Sequence, residues 1–158
     1  MENFVLLGLP CGSGYFPHQT VLSLLTLHKK NCTLTIVPRM RVDYARNEIV
    51  RQALEQDCTH ILMVDDDNPI PPDTFDKMIA ADKDIICAPI RQKIPPHKVC
   101  CYEIGKEDDT EGYKNLETMD TSKGHLVKID ACGMGCTMIK RKVFKTLYEK
   151  YNKMPFEF

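Results

Sequence analysis

Three consecutive carboxylates, Asp65, Asp66 and Asp67, are the residues whose type and spacing point most directly to chemistry in this chain. Adjacent carboxylates repel one another, and a cation among them relieves that repulsion. Hard oxygen ligands select Mg²⁺ or Mn²⁺, and such ions usually bridge to the phosphates of a substrate. The alternative is a solvated acidic turn that caps the next helix. The aspartates therefore indicate either a metal and phosphate site or a helix start.

The segments on either side of the aspartates predict where they lie. Residues 61–64 form a short apolar run without polar alternation, which is typical of a strand buried on both faces of a parallel sheet. Residues 69–72 contain three prolines and cannot continue that strand. In open α/β sheets, ligands bind at the carboxyl ends of the strands. The acidic side chains are thus expected at the ligand-binding edge of a sheet.

Other families that place acids after a strand do not fit the neighbouring residues. A calcium-binding EF-hand loop needs glycine at its sixth position, where this chain has Ile70. A Walker-type ATPase loop ends in Gly-Lys-Ser/Thr, whereas the glycines at 12 and 14 are followed by Tyr15. Phosphatases of the haloacid dehalogenase type usually have a small β-branched residue where Pro69 stands. The remaining pattern is the Asp-x-Asp of nucleotide-sugar transferases.

Size and charge limit the classes of function. A chain of 158 residues is long enough for one domain with a sizeable core. Its formal net charge is −1 and no basic run stands out, so nucleic acid is not expected as its main partner. No apolar run reaches the length of a membrane span, and residues 1–3 lack the basic region of a signal peptide. These features predict a cytoplasmic protein.

The cysteines support the same interpretation. There are eight, and those at 32 and 87 lie in apolar, strand-like runs. Reduced thiols in a cytosolic protein are expected rather than disulfides. Cys132 and Cys136 have no matching Cys or His pair, so a zinc site is not predicted.

The first half of the chain alternates between two kinds of pattern. Helices are predicted from residue 17, over 42–56 and from 72, and strands over 4–9, 34–37, 61–64 and 84–88. This alternation predicts a parallel sheet with right-handed crossovers. The glycine-containing segment 10–14 follows the first strand and is expected to be either a loop that approaches a ligand or a plain turn.

Arg46 lies on the apolar face of the helix predicted over 42–56, between Val42 and Ile49. An inward arginine needs a partner. Asp65, Asp66 or a nucleotide could supply one, or the side chain could extend to solvent.

The last third of the chain breaks the alternation. Strands are predicted over 99–104, 126–129 and 131–139, a hairpin or mobile insertion over 105–124, and a helix over 140–151.

The order and spacing of several motifs resemble a known family. Segments 45–47 (Ala-Arg-Asn), 53–54, 60–67 and 71–73, with the glycine-containing run 131–141, resemble GT-A glycosyltransferases of the family-two-like kind, which include phage and viral members. The resemblance covers most of the chain. It implies a GT-A, Rossmann-like, mostly parallel sheet flanked by helices, with a small mixed β region in the C-terminal third. It also implies one domain, 1–158, with a nucleotide-binding half at 1–90 and an acceptor-side half at 91–158.

The same resemblance implies a set of site residues. Mn²⁺ or Mg²⁺ would lie between Asp65, Asp67 and the diphosphate of a nucleoside-diphosphate sugar. The residues expected to contact that donor are Leu9, Pro10, Arg46, Asp65, Asp66, Arg91, Gly133 and Met134.

One departure from the family concerns catalysis. Later sequence in that family supplies an acidic base and often a metal-binding histidine, neither of which can be matched here, so a truncated or inactive relative is one expectation. Glu157 and Asp130 are the acids left to consider as the base. The sequence predicts a metal-dependent glycosyltransferase with an unknown acceptor hydroxyl. A binding domain without turnover and a sugar nucleotidyltransferase remain as alternatives.

Overall fold

The computed structural model describes residues 3–28, 31–105, 112–116 and 126–157. The chain forms two compact units. The first comprises Met1–Ile86 with Met134–Phe158, and the second comprises Cys87–Gly133.

A five-stranded sheet is the centre of the first unit. The strands of the described chain are β1 (Val5–Cys11), β2 (Cys32–Pro38), β3 (His60–Val64), β4 (Ile85–Cys87), β5 (Cys101–Ile104), β6 (Tyr113–Asn115), β7 (Ala131–Cys132) and β8 (Cys136–Lys140). The order in this sheet is β2-β1-β3-β8-β4. Strand β1 pairs in parallel with both β2 and β3, as the alternation predicts.

The prediction of a mostly parallel sheet is corrected by β8. This strand lies between β3 and β4 and pairs antiparallel with β3, so the sheet is mixed. Residues 136–139 of β8 are buried. An apolar strand can fill a central position in either direction, because burial on two faces does not depend on strand polarity. The predicted alternation of strands and helices holds along the chain through α3 and β4, but β8 separates β4 from β3 in the sheet.

Four helices accompany the strands in the described chain: α1 (His18–Thr26), α2 (Val42–Glu55), α3 (Thr74–Ala81) and α4 (Arg141–Tyr151). Helix α2 packs directly on β1, and its buried residues are Ala45, Ile49, Val50 and Ala53. A Cβ atom on Gly8 would lie 2.4 Å from Cγ2 of Ile49, so this close approach requires glycine. The first turns of α2 are thereby fixed next to the sheet.

Helix α1 forms where the apolar spacing predicts a helix, but the residues that it buries are not the apolar ones that define this spacing. Thr20 and Ser23 are its buried residues, whereas Leu22 and Leu25 are 58% and 72% exposed.

The second unit contains an antiparallel sheet in the order β6-β5-β7. The strand predicted over 126–129 is absent, although all four residues are described, because no neighbouring strand pairs with them and Leu126 and Val127 are exposed. The single strand predicted over 131–139 is instead two strands, β7 and β8, separated by a turn at 134–135. Residues 106–111 and 117–125 of the predicted hairpin or insertion lie outside the described residues. Among the described helices, none has the length and apolar character needed to cross a membrane.

Candidate nucleotide-binding site

The acidic segment is anchored to the turn that leads into β8. Strand β3 is buried throughout, and Asp65 follows it directly. The backbone N–H of Asp65 donates to the carbonyl of Gly135 at 3.0 Å, and the Asn68 side-chain amide donates to the same carbonyl at 3.3 Å. The Asn68 N–H closes a turn by donating to the carbonyl of Asp65 at 3.1 Å. The three carboxylates therefore project from a backbone that is held at both ends.

Arg46 pairs with the first of these carboxylates. Its Nη2 lies 2.9 Å from Oδ1 of Asp65, and the two side chains are 15% and 31% exposed. The pairing expected for an inward arginine is present, with Asp65 as the partner. Nε of Arg46 is buried without a hydrogen-bond partner in the described structure. The orientation of this guanidinium is thus set by its contact with Asp65 and by packing.

An aromatic residue supplies part of that packing. The Phe156 ring centroid lies 6.0 Å from Cζ of Arg46, within the range of a cation–π contact. The Phe156 N–H donates to Oδ1 of Asn47 at 3.0 Å, and its ring packs 6.4 Å from that of Phe144. Asn47, next to Arg46 in the sequence, therefore anchors the segment that lies against the guanidinium.

A cavity of about 580 Å³ lies at this edge of the sheet. Its volume is in the range of ligand-binding pockets, about 300–1,000 Å³. The three aspartates contribute one part of its wall, and residues from the β1–α1 connection and the start of α2 contribute the rest. These other lining residues are Pro10, Gly12, Ser13, Tyr15, Phe16, Pro17 and Val42. The acids, an aromatic pair and a glycine-containing loop are thus brought around one space.

The loop after β1 is shaped by contacts to a single carbonyl. The N–H groups of Gly14 and Arg39 both donate to the carbonyl of Cys11, at 3.1 and 2.9 Å. Gly14 has a φ of +76°, and a Cβ atom there would lie 3.1 Å from Nε of Arg39. Glycine is favoured on both counts. The sequence predicted that this loop is either a ligand contact or a plain turn. In the structure the loop lines the cavity through Gly12 and Ser13.

The Cys11 thiol links this loop to the acidic segment. Burial raises the pKa of Cys11, and a hydrogen bond with the Asp66 carboxylate raises it further. Cys11 is therefore favoured as a neutral thiol beside Asp66, and its Sγ donates to the carbonyl of Tyr15 at 3.5 Å.

Three other residues implied by the family resemblance, and one acid considered as the base, lie in different places. Pro10 lines the cavity, whereas Leu9 is fully buried in the sheet. Met134 packs against the apolar core of the first unit. Glu157 is an exposed acid one residue after Phe156.

Three further predicted residues belong to the second unit. Arg91 donates from Nη1 to the carbonyl of His97 at 3.2 Å. The Gly133 N–H donates to the carbonyl of Cys100 at 2.8 Å. Asp130 accepts a hydrogen bond from the Ile104 N–H at 2.9 Å, which gives this carboxylate a structural role within its own sheet.

The side chains available as metal ligands limit how a metal ion could be bound. No three His, Cys, Asp or Glu side chains in the described part of the chain are arranged to hold a metal by themselves. Mg²⁺, however, is commonly bound by one or two carboxylates together with substrate phosphates. Asp65 and Asp67, which line the same cavity, fit that substrate-completed kind of site.

Several site residues were not predicted from the sequence. Asn68 and Gly135 position the acidic backbone, and Tyr15 and Phe16 line the cavity. The only available signals were the adjacency of Asn68 to the aspartates and the pair of aromatics directly after the glycine-containing loop. The contact between 65 and 135 is long-range and leaves no local pattern.

Comparison with known proteins places the fold. No protein-family model and no curated protein sequence matches the chain. Among solved structures, A197 from STIV is similar with a TM-score of 0.59 and 18% identity, over 96% of this chain and 70% of that one. The 4-diphosphocytidyl-2C-methyl-D-erythritol synthase from Anaerococcus prevotii DSM 20548 is similar with a TM-score of 0.52 and 14% identity, over 99% of this chain and 78% of that one. At these identities the likeness shows a Rossmann-like α/β fold.

Proposed function

We propose that this chain binds a nucleoside-diphosphate sugar in the cavity at the carboxyl ends of β1 and β3 and transfers the sugar to an acceptor hydroxyl. The observation that carries the proposal is the arrangement of Asp65, Asp66 and Asp67 on the wall of a cavity of about 580 Å³. Carboxylates at the end of a buried strand suit a metal–diphosphate complex, and the aromatic and glycine-containing part of the wall suits a nucleoside.

Each side chain has a distinct part in this proposal. Asp65 and Asp67 would hold Mn²⁺ or Mg²⁺ together with the diphosphate. A bound ion would neutralise the negative charge that develops on the departing nucleoside diphosphate. Arg46 fixes the orientation of Asp65 through its 2.9 Å contact. Tyr15 and Phe16 flank the space where the organic part of the nucleotide would lie.

A nucleotidyltransferase is the second candidate. The similar synthase from Anaerococcus prevotii bears a name that describes a diphosphocytidyl product, which favours nucleotide chemistry of some kind. Nucleotidyltransferases usually carry basic residues in a glycine-rich loop after the first strand. Residues 10–15 have the glycines but no Lys or Arg, which favours the sugar-transfer proposal. A domain that binds the nucleotide sugar without turnover is the third possibility.

The deciding experiment incubates the purified chain and Mn²⁺ with a panel of nucleoside-diphosphate sugars and measures release of the nucleoside diphosphate. Transfer to water needs the leaving group to be stabilised but needs no specific acceptor. No general base is assigned, and such a base is typically worth about 10²–10⁴-fold in rate. We therefore expect release that requires Mn²⁺ and is slow against ordinary turnover of about 1–10³ s⁻¹.

The controls separate the three candidates. Asp67→Asn should abolish release, and Asp82→Asn, which changes an acid outside the cavity, should not. Binding without release would indicate a binding domain. Release of pyrophosphate from a nucleoside triphosphate and a sugar phosphate would indicate a nucleotidyltransferase. Absence of nucleotide binding in any form would contradict the proposal.

A further inference from the structure

Three thiols of the second unit, those of Cys87, Cys101 and Cys132, form a cluster that the nucleotide site does not use. Cys101 lies directly opposite Cys132 in the antiparallel pair of β5 and β7. The Cys87 thiol belongs to the same cluster, since both of these thiols raise its pKa. No three metal-ligating side chains in the described residues are arranged to hold an ion, so thiol redox chemistry is the chemistry to consider here.

The register gives the Cys101 and Cys132 pair a geometry that suits a disulfide. The N–H of Gly133 donates to the carbonyl of Cys100 at 2.8 Å, so the neighbouring pair of residues is the hydrogen-bonded one. Hydrogen-bonded and non-hydrogen-bonded pairs alternate along an antiparallel ladder, which makes Cys101 and Cys132 a non-hydrogen-bonded pair. Their Cα atoms are then about 4.5 Å apart with side chains on the same face. Disulfides span Cα separations of about 4.4–6.8 Å.

We propose that the second unit carries an oxidation site in which Cys101 and Cys132 form a cross-strand disulfide when a small-molecule disulfide is supplied. Cys132 is partly exposed and Cys101 is 1% exposed. The Cys132 thiolate attacks one sulfur of the small disulfide, releases one small thiol and forms a mixed disulfide. The Cys101 thiolate then attacks the Cys132 sulfur and releases the second small thiol. The protein loses two protons and two electrons, which reduce one small disulfide to two thiols.

The surroundings of the cluster set its pH dependence. Burial raises the pKa of Cys101, and hydrogen bonding with Cys132 followed by burial raises the pKa of Cys87. The groups that shift the pKa values of Cys87 and Cys101 are themselves thiols. They are the other cysteines of the cluster and Cys100. Because the thiolate is the nucleophile, oxidation should be slow at neutral pH and faster in alkaline solution.

The test treats the full chain with glutathione disulfide at neutral and alkaline pH, blocks the remaining thiols and maps the products by mass spectrometry. We expect a product lighter than the reduced chain by two hydrogen atoms, with the Cys101 peptide linked to the Cys132 peptide. It should form faster at the higher pH. Mixed disulfides alone, links between two chains, or a link from Cys87 in its place would overturn the proposal.

Two substitutions make the assignment specific. Cys100→Ser, the matched control, removes the adjacent thiol and should still give the link. Cys101→Ser removes the second nucleophile, so the reaction should stop at a stable glutathione adduct on Cys132. A link from Cys132 that survives Cys101→Ser would assign the second nucleophile to Cys87 or Cys100, and a link that is lost in Cys100→Ser would assign it to Cys100. Either outcome would contradict the geometry described above.

Discussion

Acidic residues lie near both ends of β3, but their charges are compensated differently at the two ends. At the amino end, His60 lies opposite Lys140, whose Nζ lies 2.7 Å from Asp82 and 3.3 Å from Asp84. Lys142 adds a contact of 2.8 Å to Asp84. Two carboxylates thus meet two ammonium groups. Hydrogen bonds from Lys140 and Lys142 hold the pKa values of Asp82 and Asp84 below the usual range.

At the carboxyl end, the acids face a cavity. Asp65 is paired with Arg46, whereas Asp66 has the neutral Cys11 thiol beside it and forms no ion pair within the described part of the chain. All three aspartates line the same space. The comparison teaches that acidity alone does not mark a site. An acidic cluster whose charges are matched by lysines forms exposed ion pairs, whereas the one that lines a cavity of ligand size is where we propose that a cation and a phosphate bind.

The largest effect on this contrast is expected from Arg46→Ala. It leaves the Asp65 carboxylate, which is 31% exposed, without its cation. Stranding a charged partner typically costs about 1–3 kcal/mol, and the partial exposure of Asp65 keeps the loss below that of a fully buried pair. Nucleotide affinity should fall as well, because Asp65 loses its orientation. Chemical denaturation and calorimetry measure the two effects.

The matched control is Arg51→Ala on the same helix. Arg51 is 53% exposed and pairs with Glu48 and Glu55 on the surface. Its loss should change the free energy of unfolding by about 0.5 kcal/mol or less and leave affinity unchanged. Equal effects of the two substitutions would mean that Arg46 is an ordinary surface residue.

A smaller effect concerns His60 at the amino end. Burial lowers its pKa, the positive charge of Lys140 lowers it further, and Asp82 opposes them. The folded protein therefore favours neutral His60 more than the unfolded chain does. The resulting stability is fully present above the unfolded pKa of about 6.5, and it is lost as the pH falls from there to the lower folded pKa.

Melting temperatures measured across that acidic window test this expectation. His60→Gln should flatten the fall that the wild type shows, whereas His18→Gln, at the exposed start of α1, should follow the wild type. Identical slopes for the wild type and His60→Gln would mean that His60 gains no extra protonation on unfolding.

The smallest effect is expected from Asp82→Asn. The Asp82 side chain is 82% exposed, and Lys140 keeps Asp84 as a partner after the change. The melting temperature should fall by only a few degrees, because exposed ion pairs contribute little. Scanning calorimetry measures it, and a loss as large as that of Arg46→Ala would show that the amino end of β3 depends on this pair more than its exposure suggests.

Local sequence patterns were enough to predict β3 and the acids at its carboxyl end, but not the segments that pack around them. The apolar run 61–64 and the aspartates after it were enough to predict a buried strand with acids at its end, and β3 confirms the strand. The spacing of Val42, Arg46 and Ile49 predicted an inward arginine, and its pair with Asp65 is present. Both follow from periodicities of a few residues.

The parts that sequence did not predict depend on contacts between distant segments. The insertion of β8 between β3 and β4 is decided by which apolar strand fills the centre of the sheet, and its sequence is compatible with either direction. The hydrogen bonds from 65 and 68 to Gly135 follow from that insertion. Since no local pattern encodes them, they emerge only once the sheet is assembled.

The most direct test of the central claim is a calorimetric titration of the chain with nucleoside diphosphates, with and without Mn²⁺, in the wild type, Asp67→Asn and Asp82→Asn. The two variants each remove one negative charge, one beside the cavity and one at the other end of β3. We predict Mn²⁺-dependent binding that Asp67→Asn weakens by about 10–100-fold, which corresponds to a lost charged contact of about 1.5–3 kcal/mol, and that Asp82→Asn leaves unchanged. Equal affinity with and without Mn²⁺, or equal affinity in the wild type and Asp67→Asn, would contradict the account.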